Sequence, residues 1–254
     1  MPGFWKHTGE IAARLAARPL LVTLDFDGTL AALAETPDKA RLTPEYRTAL
    51  KALVKLPGVK VFILSGRALP NLKKVVGIPG IYYGGNHGME LEGPVFRRLD
   101  AHVMRARARI AATVQEIAER FPPGTGVMVE NKVFSASVHY RCVKSPFRTS
   151  FRRHMAALTC SAPAGLRWSR GHKVFELRPE KAPDKGDAVL MLARRLKTAS
   201  VFAAGDDLTD EDMFRALAGL GVTLRVGCRH RTKADYCVRT QKEMLKVLRF
   251  LAKI

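Results

Sequence analysis

The sequence predicts an α/β fold, a parallel sheet interrupted by an antiparallel α+β module, and three observations carry that prediction. Apolar runs of about five residues alternate with amphipathic helical stretches at both ends of the 254-residue chain. Each of the sharpest runs stops at a burst of polar residues, the signature of a buried strand ending at a site. The middle third changes to helix, strand, strand, helix, strand, strand, which has no parallel counterpart.

A helix over 10–17 stops before Pro19, and 20–24 reads as a buried strand ending in Asp25-Phe26-Asp27-Gly28-Thr29. A helix over 44–56 follows, then a strand over 59–64 closed by Ser65-Gly66-Arg67, another helix, and a strand near 80–83. The module runs from a helix over 103–120 through strands at 126–130 and 133–140, which flank a turn at Asn131-Lys132. A helix over 146–158 and strands at 166–169 and 173–177 complete it as αββαββ. The parallel rhythm resumes with a helix over 186–196 and a strand over 200–204 that ends in Gly205-Asp206-Asp207. The expected domains are a core of 1–102 with 180–254, and an insert of 103–179.

Hydrophobic residues at 47% and charged residues at 26% are globular proportions and exclude disorder and fibrous repeats. The balance of 43 Lys and Arg against 23 Asp and Glu leaves +20, which speaks of partners or substrate rather than fold. Residues 94–178 hold 16 of those bases against 5 acids, so the insert is the basic part. Nucleic-acid binding is therefore a rival function. Against it, aromatics are only 7%, and Arg105, Arg107, Arg109, Arg148, Arg152 and Arg153 lie on helices without aromatic interleaving.

Cys142, Cys160, Cys228 and Cys237 include no CxxC pair, so reduced thiols and a cytoplasmic location are expected. Cys228, His230 and Cys237 lack a fourth ligand of recognisable spacing, and zinc is not expected there. Arg14 and Arg18 interrupt the segment 11–24, so neither a signal peptide nor a membrane span is expected. Monomer and dimer both remain open.

The chemistry concentrates where strands end. Asp25 and Asp27 place two carboxylates two residues apart, suited to a division between nucleophile and proton donor, and an attacking Asp would form an acyl phosphate. Gly28 frees the following turn to aim N–H groups at an anion. Asp206 and Asp207, with Asp210 and Glu211 behind them, offer enough carboxylate for a hard cation such as Mg²⁺. Ser65 and Lys185 supply a small donor and a positive charge for phosphate. Together they specify metal-assisted phosphoryl transfer.

These motifs, Leu24-Asp25-Phe26-Asp27-Gly28-Thr29-Leu30, Ser65-Gly66-Arg67, Lys185 and Gly205-Asp206-Asp207-x-x-Asp210-Glu211, resemble the haloacid dehalogenase superfamily of aspartate-nucleophile phosphatases. The resemblance implies a Rossmann-like core with helices on both faces of the sheet. It makes Asp25 the nucleophile and Asp27 the acid and later base. Mg²⁺ would be held by Asp25, the Asp27 carbonyl and Asp206, with support from Asp207 and Asp210, and phosphate by Thr29, Ser65 and Lys185.

Further motifs narrow the likeness. Asn86-His87-Gly88, Glu130-Asn131-Lys132, Ser137-Val138-His139-Tyr140-Arg141 and Gly171-His172-Lys173-x-x-Glu176-x-Arg178-Pro179 are similar to those of trehalose-6-phosphate phosphatases, which carry an αββαββ cap. By that likeness Glu130, Lys132 and Glu176 bind sugar hydroxyls, and the cap closes over substrate. Arg67, Asn86, His87, His139, Arg141 and Arg178 join them as candidate substrate contacts, with His139 and Arg141 expected on one strand face. Asn131 stands where the family usually has Asp. A sugar-phosphate substrate is implied. Phosphatases of sucrose phosphate or mannosyl-phosphoglycerate are the alternative within the same capped group.

Overall fold

The structure, a computed structural model, describes residues 1–34, 39–171, 173–228 and 231–254. His172 and His230, both singled out above, lie outside the described residues. Two compact units emerge, one of 1–98 with 183–254 and one of 99–182.

The first unit opens with α1 (Thr8–Leu15), β1 (Leu20–Asp25), α2 (Pro44–Lys55), β2 (Val59–Leu64), α3 (Leu69–Val76), β3 (Tyr82–Gly85), β4 (Glu90–Gly93) and β5 (Phe96–Leu99). In the second unit come α4 (Ala101–Arg120), β6 (Met128–Asn131), β7 (Ala136–His139), α5 (Arg148–Cys160), β8 (Leu166–Gly171) and β9 (Val174–Pro179). The chain then returns to the first unit as α6 (Lys185–Arg195), β10 (Ser200–Gly205), α7 (Asp210–Ala216), β11 (Val222–Val226), β12 (Tyr236–Val238) and α8 (Met244–Leu251).

The larger sheet has the order β12-β11-β10-β1-β2-β3-β4-β5. It is parallel from β12 to β3, and β4 pairs antiparallel with β3. Alternation sorts the strands onto two faces. Leu20, Val22 and Leu24 of β1 join a core with residues of α1, α2, α3 and α8, while Leu21 faces α6 and α7 beside Phe62, Val201 and Phe214. Every residue of β1 is buried, as a central strand with helices on both faces requires. Each fully buried Leu or Val adds roughly 1.5–3 kcal/mol of transfer free energy, so the register is strongly fixed.

The sheet order places the site. From β1 the chain builds β2 and β3 to one side, and from β10 it builds β11 and β12 to the other, so the direction of winding reverses between β1 and β10. Leu24 lies level with Ala204, and Asp25 with Leu64. Asp25, Ser65 and Asp206 therefore leave three adjacent strands at one edge of the sheet.

The smaller sheet is antiparallel, in the order β6-β7-β9-β8. Ala136, Val138, Phe175 and Leu177 pack against Ile110, Ile117, Phe151 and Met155 of α4 and α5. Alternation turns the intervening residues to the opposite face, where Glu130, Ser137, Glu176 and Ser169 lie in register across all four strands.

Three expectations change. The run 133–140 is shorter as a strand because Val133 takes φ +72° in the hairpin turn, where Asn131 Oδ1 accepts its N–H at 2.8 Å. β7 ends at His139, so Arg141 falls in the following turn and does not share a strand face with it. The four thiols are not all free. Adjacent parallel strands bring Cys228, just past β11, to a Cα–Cα distance of 5.4 Å from Cys237 in β12, and a disulfide joins them. That bond uses both cysteines considered above for zinc, and the expectation of four reduced thiols gives way to two. Cys142 and Cys160 are free and exposed. Among the described residues no helix is long and apolar enough to cross a membrane.

Candidate active site

Asp25 ends β1 almost fully buried. Its Oδ1 accepts a hydrogen bond from Lys185 Nζ at 2.6 Å, and the same ammonium donates to Asp210 Oδ1 at 2.7 Å. Lys185 is the first residue of α6, a start fixed by a reciprocal cap between Asp184 and Asp187. Asp210 begins α7 and turns its other oxygen back to accept the N–H groups of Asp206 and Asp207, both at 2.9 Å. Thr29 Oγ1 donates to Asp206 Oδ1 at 3.2 Å. Gly28 adopts φ +84°, and a Cβ there would lie 2.2 Å from Asp206 Oδ2, so only glycine lets the two loops meet.

One carboxylate oxygen each from Asp25, Asp206 and Asp210 falls within a span of 4.8 Å. Burial raises the Asp25 carboxyl well above its ordinary range, with Asp210 and Asp206 adding to the rise and Lys185 opposing it. Burial, and then the Asp210 charge, push Asp206 up to about 7. Burial alone would lower Lys185, but the charges of Asp210 and Asp25 outweigh it and hold the ammonium above its usual value. Three carboxylates thus face one ammonium. An all-oxygen donor set under mutual repulsion fits a hard divalent cation, which would relieve that repulsion.

The side chains of Asp27, expected at the metal through its carbonyl alone, and of Asp207, expected in support, lie outside this carboxylate group. Asp207 is exposed. Both oxygens of Asp27 are taken by Arg67, through Nε at 2.7 Å and Nη2 at 2.6 Å. Arg67 also donates to Asn71 Oδ1 at 2.9 Å and lies over the Phe26 ring, 5.1 Å from its centroid. A bidentate guanidinium fork of this kind is directional. Arg67 therefore orients Asp27, a connection the sequence did not reveal.

The phosphate candidate Ser65 is buried beside this pair and accepts the Arg67 N–H on Oγ at 3.2 Å. Asn86 and His87, also buried, are knitted to the same loop by backbone bonds from Asn86 N to Arg67 O at 2.7 Å and His87 N to Ser65 O at 2.9 Å. Asn86 Nδ2 donates to Glu90 Oε2 at 2.6 Å. These contacts set the shape of the loop floor.

The remaining candidates belong to the second unit. On the helix-free face Lys132 Nζ sits 3.7 Å from Glu176 Oε1, Ser137 Oγ donates to the same oxygen at 3.5 Å, and His139 Nε2 is 3.4 Å from Glu130 Oε2. Arg178, in β9, is buried, and Arg141 is exposed. Sequence reasoning missed Arg225, a charged residue inside the apolar run of β11 with its guanidinium buried. It donates to the Asp206 carbonyl at 2.7 Å and pairs with Glu211. Its position amid Val222, Leu224 and Val226 was the available signal.

Comparison with known proteins adds to this geometry. Residues 23–249 match the trehalose-phosphatase family model. A probable trehalose-phosphate phosphatase of Oryza sativa subsp. japonica is 33% identical over 96% of this chain and 72% of its own length. A trehalose-phosphate phosphatase of Mycobacterium bovis is 37% identical over 89% of this chain, which spans 58% of that protein. The C-terminal domain of a Candida albicans trehalose-6-phosphate phosphatase shares the fold with a TM-score of 0.82 at 21% identity, covering 99% of this chain and 98% of its own. With such matches along nearly its whole length, the chain belongs to the trehalose-phosphatase family.

Proposed function

We propose that the protein hydrolyses trehalose 6-phosphate to trehalose and phosphate, the final step of trehalose synthesis, using Mg²⁺ and a phosphorylated Asp25. The observation that carries this reading is the bridge from Lys185 to Asp25 and Asp210 beside Asp206. Lys185 engages Oδ1 of Asp25, which leaves Oδ2 to attack phosphorus. Lys185, Thr29 and Ser65 hold the phosphoryl oxygens as charge builds on them. Asp25 and Asp206 would hold the cation together with the Asp27 carbonyl, with Asp210 in support. When bound, Mg²⁺ neutralises phosphoryl charge.

Asp27 first gives its proton to the departing sugar oxygen, and the bond from that oxygen to phosphorus breaks as the one to Asp25 forms. Asp27 then takes a proton from the water that attacks the phosphoaspartate, returning Asp25 and releasing phosphate. Arg67 donates to both Asp27 oxygens, so whichever oxygen carries the proton is held by the weaker of the two bonds. The unit 99–182 serves as a cap that selects the sugar. A neutral disaccharide needs paired donors and acceptors, which Glu130, Lys132 and Glu176 offer on the helix-free face.

Phosphate release from trehalose 6-phosphate, sucrose 6-phosphate and glucose 6-phosphate, each with Mg²⁺ and with EDTA, tests the reading. Release confined to the first and lost with EDTA is expected. Equal release from all three would remove the role given to the cap. No release at all would end the phosphatase reading and turn attention to the +20 charge and nucleic acid.

A further inference from the structure

Arg225 is an expensive way to build a strand. Its side chain is fully buried in β11, and burying a guanidinium costs several kcal/mol unless geometry and partners compensate. Compensation is incomplete, because Nε has no hydrogen-bond partner among the described residues. The two terminal nitrogens are committed. Nη1 pairs with Glu211 Oε1, whose other oxygen accepts the Lys233 N–H at 2.7 Å, and Nη2 donates to the Asp206 carbonyl at 2.7 Å.

The Asp206 contact has a specific mechanical meaning. Arg225 lies opposite Gly205 in the β10–β11 ladder, one residue before the chain leaves the sheet. A Cβ on Gly205 would meet the Asp210 carboxylate at 2.2 Å, so Asp210 folds tightly under the departing backbone. The peptide joining Asp206 to Asp207 is consequently gripped at both ends, its carbonyl by Arg225 and its N–H by Asp210 Oδ2 at 2.9 Å. Fixing that plane fixes the direction in which the Asp206 side chain leaves the backbone, toward Thr29 and Asp25.

We propose that Arg225 is a positioning residue for the reaction, setting the Asp206 carboxylate in its cation-binding direction through the Asp206–Asp207 peptide. This rests on the Mg²⁺ reading above. Groups that orient metal ligands typically change metal affinity by 10- to 100-fold when removed. Glu211 is the counter-charge that lets the guanidinium remain buried, and Asp210 holds the opposite end of the peptide.

The test is calorimetric titration of EDTA-treated protein with Mg²⁺ alone, paired with the rise in Tm on adding Mg²⁺ and with kcat and KM for trehalose 6-phosphate at several Mg²⁺ concentrations. In Arg225→Met, Mg²⁺ binding should weaken roughly tenfold or more. Its kcat should recover largely at saturating Mg²⁺, and the Tm of the metal-free protein should fall as well, because Glu211 loses its counter-charge. Arg225→Lys, which keeps the charge but not the fork, should lie between the two and supplies the measurement if the Met variant does not fold. Parent-like Mg²⁺ binding in either folded variant, with any loss confined to Tm, would overturn the proposal and leave Arg225 structural. Absence of Mg²⁺ binding in the parent protein would overturn the cation reading itself, and this proposal with it.

Discussion

The carboxylate site at the edge of the large sheet and the polar row on the small sheet are built on opposite principles. In the first, Lys185 meets Asp25 and Asp210 at 2.6 and 2.7 Å, all three groups are buried, and Arg67 forks Asp27 at similar range. In the second, Lys132, Glu176, Ser137, Glu130 and His139 face one another at 3.4–3.7 Å, with Glu130 and His139 partly exposed. Short, dry, charge-assisted bonds fix atoms in place before a ligand arrives, whereas longer and wetter ones can be exchanged for those of a ligand. Bond-making chemistry needs the former and hydroxyl recognition tolerates the latter.

The contrast can be broken at either end, and its largest expected consequence is at Asp25. Asp25→Asn should lower turnover by at least about 10³-fold, as removal of a nucleophile does, with the fold unchanged by circular dichroism. Phosphate release above a hundredth of the parent rate would take the chemistry away from this strand end. Lys185→Met leaves the buried carboxylates of Asp25 and Asp210 without their ammonium. Breaking a buried pair costs roughly 3–5 kcal/mol, so the metal-free Tm should fall by on the order of 10 °C, measured by calorimetry in EDTA. A Tm unchanged within error would mean that the site is not dry.

At the other end the effect should be smaller and selective. Glu176→Gln should raise KM for trehalose 6-phosphate about tenfold while leaving hydrolysis of a small aryl phosphate unaltered. Parallel losses on both substrates would place Glu176 with the chemistry and dissolve the contrast. The burial of Asp206 has a signature in pH. Its value of about 7 lies above the unfolded carboxylate value, so its contribution to metal-free stability is full below pH ~4 and is lost as pH rises through about 7. Asp206→Asn should flatten that slope and raise the metal-free Tm at pH 8 by a few degrees. The smallest change belongs to Asn131→Asp. Oδ1 still accepts the Val133 N–H, so kcat/KM should move by less than about threefold.

Different parts of this architecture were legible for different reasons. The central strands β1, β2 and β10 announce themselves because burial on both faces forces unbroken apolar runs, and the acids that interrupt them mark the site edge. β4 and β5 did not, since Glu92, Arg97 and Arg98 on a partly exposed sheet margin break any apolar run. β12 is three residues long, too short for any period to register. Val133 and Phe134 extend an apolar run beyond its strand because side-chain polarity does not encode backbone angle, and Val133 sits exposed in the turn at φ +72°.

At the site, the residues that carry charge to the strand ends were readable one by one. The pairing of Arg67 with Asp27 was not, because it joins two loops 40 residues apart through side-chain angles that spacing does not encode. The disulfide was hidden likewise. Residues 228 and 237 become neighbours only once β12 is known to lie beside β11.

The discontinuity of the first unit carries a consequence for synthesis. β1 pairs Leu20 with Ser200, so the central ladder of the large sheet cannot close until the chain has been made to that point. The second unit is one uninterrupted stretch, and β6–β7 and β8–β9 are hairpins between sequence neighbours. Local contacts form quickly and distant ones slowly. On the ribosome, where earlier segments organise while later ones are still being made, the sheet bearing Glu130 and Glu176 can assemble while β1 still waits for its partner. Until β10 arrives, the apolar flank of β1 is an open edge, so this interval is when the nascent chain most needs protection from aggregation.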